Sequence, residues 1–545
     1  MILSHILFSI VSLWRGYFVS KKIVFSLSKA ITIILATFFT MLLLVGCPSA
    51  EDKQAEDMLG TNTDIPAVGT EYNDEENNLR YIVNDDRTLS VIEPIDSELA
   101  DWGCIIPEEY EGIKVTSIEN GAFYYCSSLT SINIPDTVTS IGDYAFIGCS
   151  GLTSITVSDN NMYYKSIDGV LFDKNVQRII AYPCGKSSNY YTIPDTVTSI
   201  GGIAFRDCSS LESITIPDTV TSIGSYAFYG CSSLTSIIIP NAVTCIGDYA
   251  FFCCTSLTSI TVSDNNMYYK SIDGVLFDKN VQRIIAYPWG KSSNYYTIPD
   301  SVTSIGDFAF FGCSDLTSIT IPDSVTSIGD FAFFGCSDLT SITIPDSVTF
   351  IGGGAFSSCT GLTSITVSDN NKYYKSIDGV LFDKNVQKII AYPCSKSSNY
   401  YTIPGSVTSI GDRAFYNCSR LTSIDIPDSV TSIGDSTFSY CSSLTSITIP
   451  KSVTSIGGYT FEGCSNLNSI TIPDSVTSIG EYAFWYCSGL TSITIPKSVT
   501  SIGDGAFREC SSLTEIHINK PENSISGSPW RAPNGESIVK WQGQF

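Results

Sequence analysis

Histidine is nearly missing from this 545-residue chain, which holds only His5 and His517. That scarcity sets aside most histidine-dependent acid–base catalysis and histidine-rich metal sites. A Ser/His/Asp or Cys/His site would have to use His517, at the far end of the repeats described below. Basic residues are also few: 30 Lys and Arg stand against 54 Asp and Glu, a formal net charge of −24. Residues 1–46 hold four of the basic residues and no acid, so the remainder carries −28. A body this acidic repels phosphate backbones, which argues against a nucleic-acid partner. Despite 19 cysteines there is no Cys-x-x-Cys, and no glycine-rich loop follows a strand pattern. Metal-knuckle and phosphate-cradle readings lose their residues. The expectation is a protein that is not an enzyme, with no catalytic residue, no cofactor and no metal.

What is present begins with an apolar run over residues 30–46, behind Lys21, Lys22 and Lys29. A basic flank, an apolar core and a small residue before the cut describe a signal peptide over residues 1–46. The run ends in Leu44-Val45-Gly46-Cys47, which resembles the lipobox of bacterial lipoproteins. The resemblance implies acylation of Cys47 and a lipid anchor, with the body on the outer surface of the cell envelope. Each buried acyl CH₂ contributes about 0.8 kcal/mol, so several chains hold a soluble body at a membrane. Residues 47–78 are rich in Asp, Glu, Asn and Thr and poor in large apolar side chains. They bury too little to offset ordering entropy and read as an acidic flexible tether.

From Cys126 to Cys510 thirteen cysteines recur in steps of 23 residues, with three steps of 59. A fixed period in this range marks a solenoid. One unit reads Phe310-x-x-Cys313-x-x-Leu316-x-x-Ile319-x-Ile321-Pro322-x-x-Val325-x-x-Ile328-Gly329-x-x-Ala332. Alternation at Ile319 and Ile321 predicts a short strand with one inward face. Pro322 ends the strand because it cannot donate to a ladder. Gly329 reads as a turn residue needing a permissive backbone. Val325 and Ile328 form a second inward edge. Ala332 and Phe333 fill the convex side, as short 3₁₀ or helical turns. Units run over residues 121–518, and at about 4.8 Å per coil thirteen of them span at least roughly 60 Å.

Three inserts, 157–192, 262–297 and 367–402, are nearly identical. Asp168-Gly169 and Asp173-Lys174-Asn175 are hairpin-type turns. Val176 to Pro183 looks like the Leu-x-x-Ile-x-Ile-Pro strand, so each insert reads as a degenerate extra coil plus a hairpin. The ends need caps: residues 79–120 with a hairpin of Leu79–Val83 and Leu89–Ile92, and residues 519–545 with Trp530 and Trp541. The units resemble the BspA-like leucine-rich repeat family, in which Ile-Pro-x-x-Val-x-x-Ile-Gly-x-x-Ala-Phe-x-x-Cys-x-x-Leu recurs. The resemblance covers roughly residues 79–545. It implies a mostly β, leucine-rich-repeat-type β-solenoid, and attachment to extracellular-matrix or other host proteins, or to neighbouring cells.

The cysteine ladder admits two readings, buried thiols or a set of disulfides. Stacked side chains point the same way, which favours thiols acting as small hydrophobes. Asp-Asn-Asn at 159–161 reads as a turn before it reads as a calcium site. Candidate ligand-binding residues fall in two groups. Ser318, Thr320, Ser341 and Thr343 typify the outward strand positions, a flat hydroxyl-bearing face. Tyr163, Tyr164, Tyr190 and Tyr191, with Tyr268, Tyr269, Tyr295 and Tyr296, bring aromatics to the inserts, and half of them suit core packing equally well. An adhesin-like protein-binding scaffold is the leading expectation. A structural or self-associating envelope coat and a glycan-binding module are the alternatives.

Overall fold

The structure, a computed structural model, describes residues 66–542 apart from 523, 528 and 534. The signal peptide expected over 1–46, the lipidation candidate Cys47 and the first part of the tether lie outside the described residues. The tether expected to run to Asn78 gives way earlier to a strand, Glu71–Asp74. It pairs antiparallel with Leu79–Val83, and the Tyr81 hydroxyl donates to the buried Asp74 carboxylate. Leu79–Val83 pairs in turn with Leu89–Pro94, which pairs parallel with Ile113–Ile118 and through it with Ser140–Ile141.

From there the chain winds as a β-solenoid of 23-residue coils held by three ladders. In the first, Ser236–Ile239 runs parallel to Ser259–Val262, with Ile237 opposite Ile260. In the second, Ser199–Ile200, Ser222–Ile223 and Cys245–Ile246 follow one another in register. The third joins turns: the Phe228 N–H donates to the Ala250 carbonyl and the Gly230 N–H to that of Phe252, both at 2.9 Å. A period matching the coil length puts identical residues above one another, so each apolar type forms its own column. Phe310 and Phe333 stack at 5.1 Å, and Phe461 and Phe484 at 5.5 Å. Leu316, Val325, Ile328, Ala332 and Phe333 are all buried.

Two expectations about the coil are corrected. The Ala-Phe side holds hydrogen-bonded turns rather than 3₁₀ helix; among the described residues the single 3₁₀ helix is Gly535–Ile538. The cause is backbone handedness: Phe331 and Gly335 sit at φ 53° and 73°, and such residues interrupt a right-handed helix. Gly329 is needed for closeness, not for a left-handed backbone. A Cβ there would lie 2.5 Å from the Asp307 nitrogen of the coil before.

The inserts also differ in register from their sequence. Tyr164–Ile167 and Val170–Asp173 form a hairpin whose Asp168-Gly169 turn has φ 50° and 77°, as a type I′ turn requires. Arg178–Ala181 continues that sheet and pairs parallel with Ser199–Ile200. Ile-Ile-Ala-Tyr-Pro therefore belongs to the second ladder and the Phe turn, with Tyr182 stacked on Phe205 at 5.2 Å. The Ser-Ile-Thr equivalent is Tyr190–Thr192, opposite Ser213–Thr215.

The hairpin strand lies across the core. Val170, Leu171 and Phe172 are all fully buried, with Leu171 packed among residues of the preceding coils and Val170 and Phe172 among those that follow. Leu276 and Leu381 repeat the arrangement. Three strands thus divide the central apolar columns into four stretches, while rings on the turn side still meet across the second and third inserts, Phe252 with Phe311 at 4.3 Å and Phe334 with Tyr416 at 5.5 Å. At the far end Trp530 covers Phe507, and Val539–Trp541 adds a last parallel strand to Glu515–Ile518.

Candidate binding surface

Alternation along the first ladder fixes its two faces. Ile319 and Ile342 point inward, while Ser318, Thr320, Ser341 and Thr343 are exposed. Thr343 and Thr366 face one another across the ladder with hydroxyls 2.8 Å apart. The four candidate hydroxyl residues thus share one open face.

Two further threonine columns escaped the sequence reading. Thr326 sends both its N–H (2.8 Å) and its hydroxyl (3.1 Å) to the Thr303 carbonyl one coil back. Thr349 repeats this on Thr326, and Thr340 and Thr363 do the same beside the first ladder. These threonines seal the ladder rather than wait for a ligand. Their signal was the Thr of Val-Thr, which every unit keeps, and that of Leu-Thr, replaced only at Glu212 and Asn468.

The tyrosine pairs divide. Tyr163, Tyr190, Tyr268 and Tyr295 are exposed. Tyr164 and Tyr269 are partly buried, and each hydroxyl accepts the N–H of Ile141 or Ile246 at 3.0 Å. Tyr191 and Tyr296 take the place of a core isoleucine, packing on Tyr182 and Phe205 and on Tyr287 and Phe310. The third insert adds Tyr373 and Tyr400 to the exposed set. Tyr190, Tyr295 and Tyr400 stand on the hydroxyl face itself, 67%, 71% and 49% exposed. Beside each lies a hairpin tip held by a lysine: Lys186 donates to the Asp168 carbonyl at 2.7 Å, and Lys291 and Lys396 pair with Asp273 and Asp378 at 3.0 and 2.7 Å.

Asn161 is fully buried and spends its amide on backbone. It donates to the Pro135 and Val138 carbonyls and accepts the N–H groups of Tyr163 and Tyr164, all within 2.8–2.9 Å. It is a staple between insert and coil, repeated at Asn266 and Asn371. Among the described residues no group of three His, Cys, Asp or Glu could hold a metal ion. His517 lies on the last repeat strand, its Nε2 2.9 Å from Glu515.

Among the described residues thirteen free thiols are buried. In an ordinary coil the thiol donates to the carbonyl of the phenylalanine 26 residues back, as Cys336 does to Phe310 at 3.1 Å. Burial pushes the Cys231, Cys336, Cys464 and Cys487 thiols well above the ordinary range. Cys245 differs: it stands at an outward Ser position and is exposed. Among the described residues one disulfide is present, Cys394–Cys418.

The pattern of BspA type leucine-rich repeat regions matches six times, over residues 116–183, 181–295, 285–395, 373–452 and 431–532. No curated protein matches. A leucine rich cell surface protein from Faecalibacterium prausnitzii is 31% identical, over 84% of this chain and 96% of that one, with a TM-score of 0.41. The pneumococcal vaccine antigen PcpA is 21% identical, over 87% and 94%, with a TM-score of 0.38. A leucine-rich repeat protein from Eubacterium ventriosum is 24% identical, over 85% and 97%, with a TM-score of 0.35. The repeat pattern covers most of the coils, and the chain belongs to the BspA type leucine-rich repeat family.

Proposed function

We propose that this protein is an adhesin-like surface lipoprotein, anchored through Cys47, whose hydroxyl-bearing face binds an extracellular protein of a host matrix or a neighbouring cell. The observation that carries the reading is the recurrence of an exposed tyrosine, Tyr190, Tyr295 and Tyr400, once per insert on a flat Ser/Thr sheet. Tyrosine combines a large apolar ring with a polar tip and few torsions to freeze, which makes it a frequent anchor of protein interfaces. Ser318, Thr320, Ser341 and Thr343 surround such anchors with adaptable hydrogen-bonding groups. The net charge of −24 favours a neutral or basic partner. Family membership and the surface description of the Faecalibacterium relative support the location.

The test is binding of the purified protein to immobilised matrix proteins and to intact cells. Wild type binds, and replacing Tyr190, Tyr295 and Tyr400 together by alanine weakens binding at least about tenfold, as the loss of one hot-spot contact does. No binding to either target removes the adhesive reading. Binding only on a glycan array, lost in the same variant, replaces it with a glycan module. Acylation is tested separately: labelled palmitate enters the wild type and not Cys47→Ser.

A further inference from the structure

Beside the strand pairing, each insert meets the following coil at one further side-chain joint on the turn side. In the third copy the joint is covalent: Cys394 and Cys418 are 24 residues apart in sequence, their Cα atoms 4.3 Å apart, and disulfide-bonded. In the first copy the same positions are Cys184 and Cys208, and their sulfurs lie 3.5 Å apart as free thiols. The surroundings repeat. The Cys184 and Cys394 sulfurs lie 3.0 and 3.4 Å from the carbonyls of Arg206 and Tyr416. Those of Cys208 and Cys418 lie 3.9 and 3.8 Å from Tyr182 and Tyr392. The middle copy closes the joint with a different group. Trp289 sits edge-on to Phe252 and Phe311 and covers Gly312, where a Cβ would come 2.1 Å from its ring.

Ordinary ladder cysteines are 23 residues apart and send their thiols to a phenylalanine carbonyl instead. The one-residue offset of Cys184 and Cys394 takes them out of that parallel arrangement and turns the two sulfurs toward each other. In-register thiols cannot do this, because stacked side chains share a direction.

We propose that Cys184 and Cys208 form a second disulfide in the mature protein, fastening the first insert to the coil after it as Cys394–Cys418 fastens the third. The bond closes by exchange with a disulfide oxidant. The half-buried Cys184 reacts first: its thiolate attacks the oxidant, breaking that S–S bond and releasing one thiol. Cys208 then attacks the mixed disulfide and releases the second thiol. Two protein thiols lose two protons and two electrons, and the oxidant's disulfide becomes two thiols.

The test uses the full chain, purified reduced and exposed to oxidised glutathione. The sample is quenched in acid, unfolded, alkylated and mapped by mass spectrometry. The expected product is a Cys184–Cys208 cross-linked peptide, two hydrogens lighter than its parts, with Cys231, Cys254 and Cys336 alkylated. Cys184→Ala leaves Cys208 alkylated. Recovery of Cys184 and Cys208 both alkylated, whatever the state of Cys394, overturns the proposal. Capture of Cys184 only as a glutathione adduct overturns it as well.

Discussion

Glycine does two different things within one coil. At Gly335 the backbone is left-handed, φ 73°, yet a Cβ would find ordinary contacts no nearer than 3.7 Å. At Gly329 the backbone is ordinary, but the preceding coil's nitrogen lies 2.5 Å from where a Cβ would stand. The first position tolerates other residues at a cost. Tyr440 and Glu509 occupy it at φ 59° and 58°, a conformation worth about 1–2 kcal/mol of strain. Stacking offsets that strain, since Tyr440 donates its N–H to Glu462 one coil on, at 2.6 Å. The second position tolerates nothing larger, because a methyl group would force two coils apart and break ladder bonds on both sides. Gly335→Ala is therefore expected to cost about 1 kcal/mol. Gly329→Ala costs at least about 2–3 kcal/mol, as overpacking against backbone does. Denaturant midpoints measured on both variants decide; equal losses would show that spacing between coils is soft.

The second strand of the insert hairpin has two buried faces, and the hairpin's attachment is polar. Asn266 is sealed from solvent and bonded to Pro240, Val243, Tyr268 and Tyr269, all through backbone groups. Removing it leaves those groups unpaired, at about 1–3 kcal/mol. Asn266→Ala should lower the melting temperature and speed amide exchange around Tyr268 and Tyr269, while amides beyond Phe356 keep their protection. Exchange that quickens along the whole solenoid would mean the three partitioning strands do not insulate the compartments. The staple was invisible in the sequence because Asp-Asn-Asn looks like any polar turn; only the carbonyls of a coil 23–26 residues earlier reveal its use. The Asp168-Gly169 turn was legible because its chemistry is local. The Phe, Cys, Leu and Ile columns were legible because one period carries them all. Ile179-Ile180-Ala181-Tyr182-Pro183 was misplaced because its composition mimics Ile-x-Ile-Pro, and pairing with Ser199–Ile200 is a fact about partners, not composition. For the tyrosines, sequence placed the pairs on the inserts but not which ring of each pair faces solvent. That split depends on Tyr191 and Tyr296 replacing an isoleucine in the first ladder.

Across the whole solenoid the cysteine columns make stability depend on alkaline pH. A thiol titrates near pH 8.5 in an unfolded chain. Burial holds the Cys231, Cys336, Cys464 and Cys487 thiols neutral well beyond that in the folded protein. Above pH 8.5 the unfolded chain therefore gives up protons that the folded one keeps. Since the folded values are raised, the stabilisation is complete below pH 8.5 and is lost as pH climbs toward the folded values. Each such thiol contributes a slope of about 1.4 kcal/mol per pH unit once fully ionised in the unfolded chain. The buried free thiols other than Cys208 share the burial that raises them, so the slopes add within each compartment that unfolds together. Thermal melts from pH 7 to 10 should show a plateau to about pH 8 and then a steep fall, with no matching rise in acid from these groups. Cys336→Ala loses its bond to Phe310, so it starts less stable at pH 7. Its curve should nonetheless fall more gently above pH 8.5, by one thiol's share for the compartment it belongs to. A wild-type curve flat through pH 10 would mean the columns are already ionised or already oxidised, and the neutral interior described for them would be wrong.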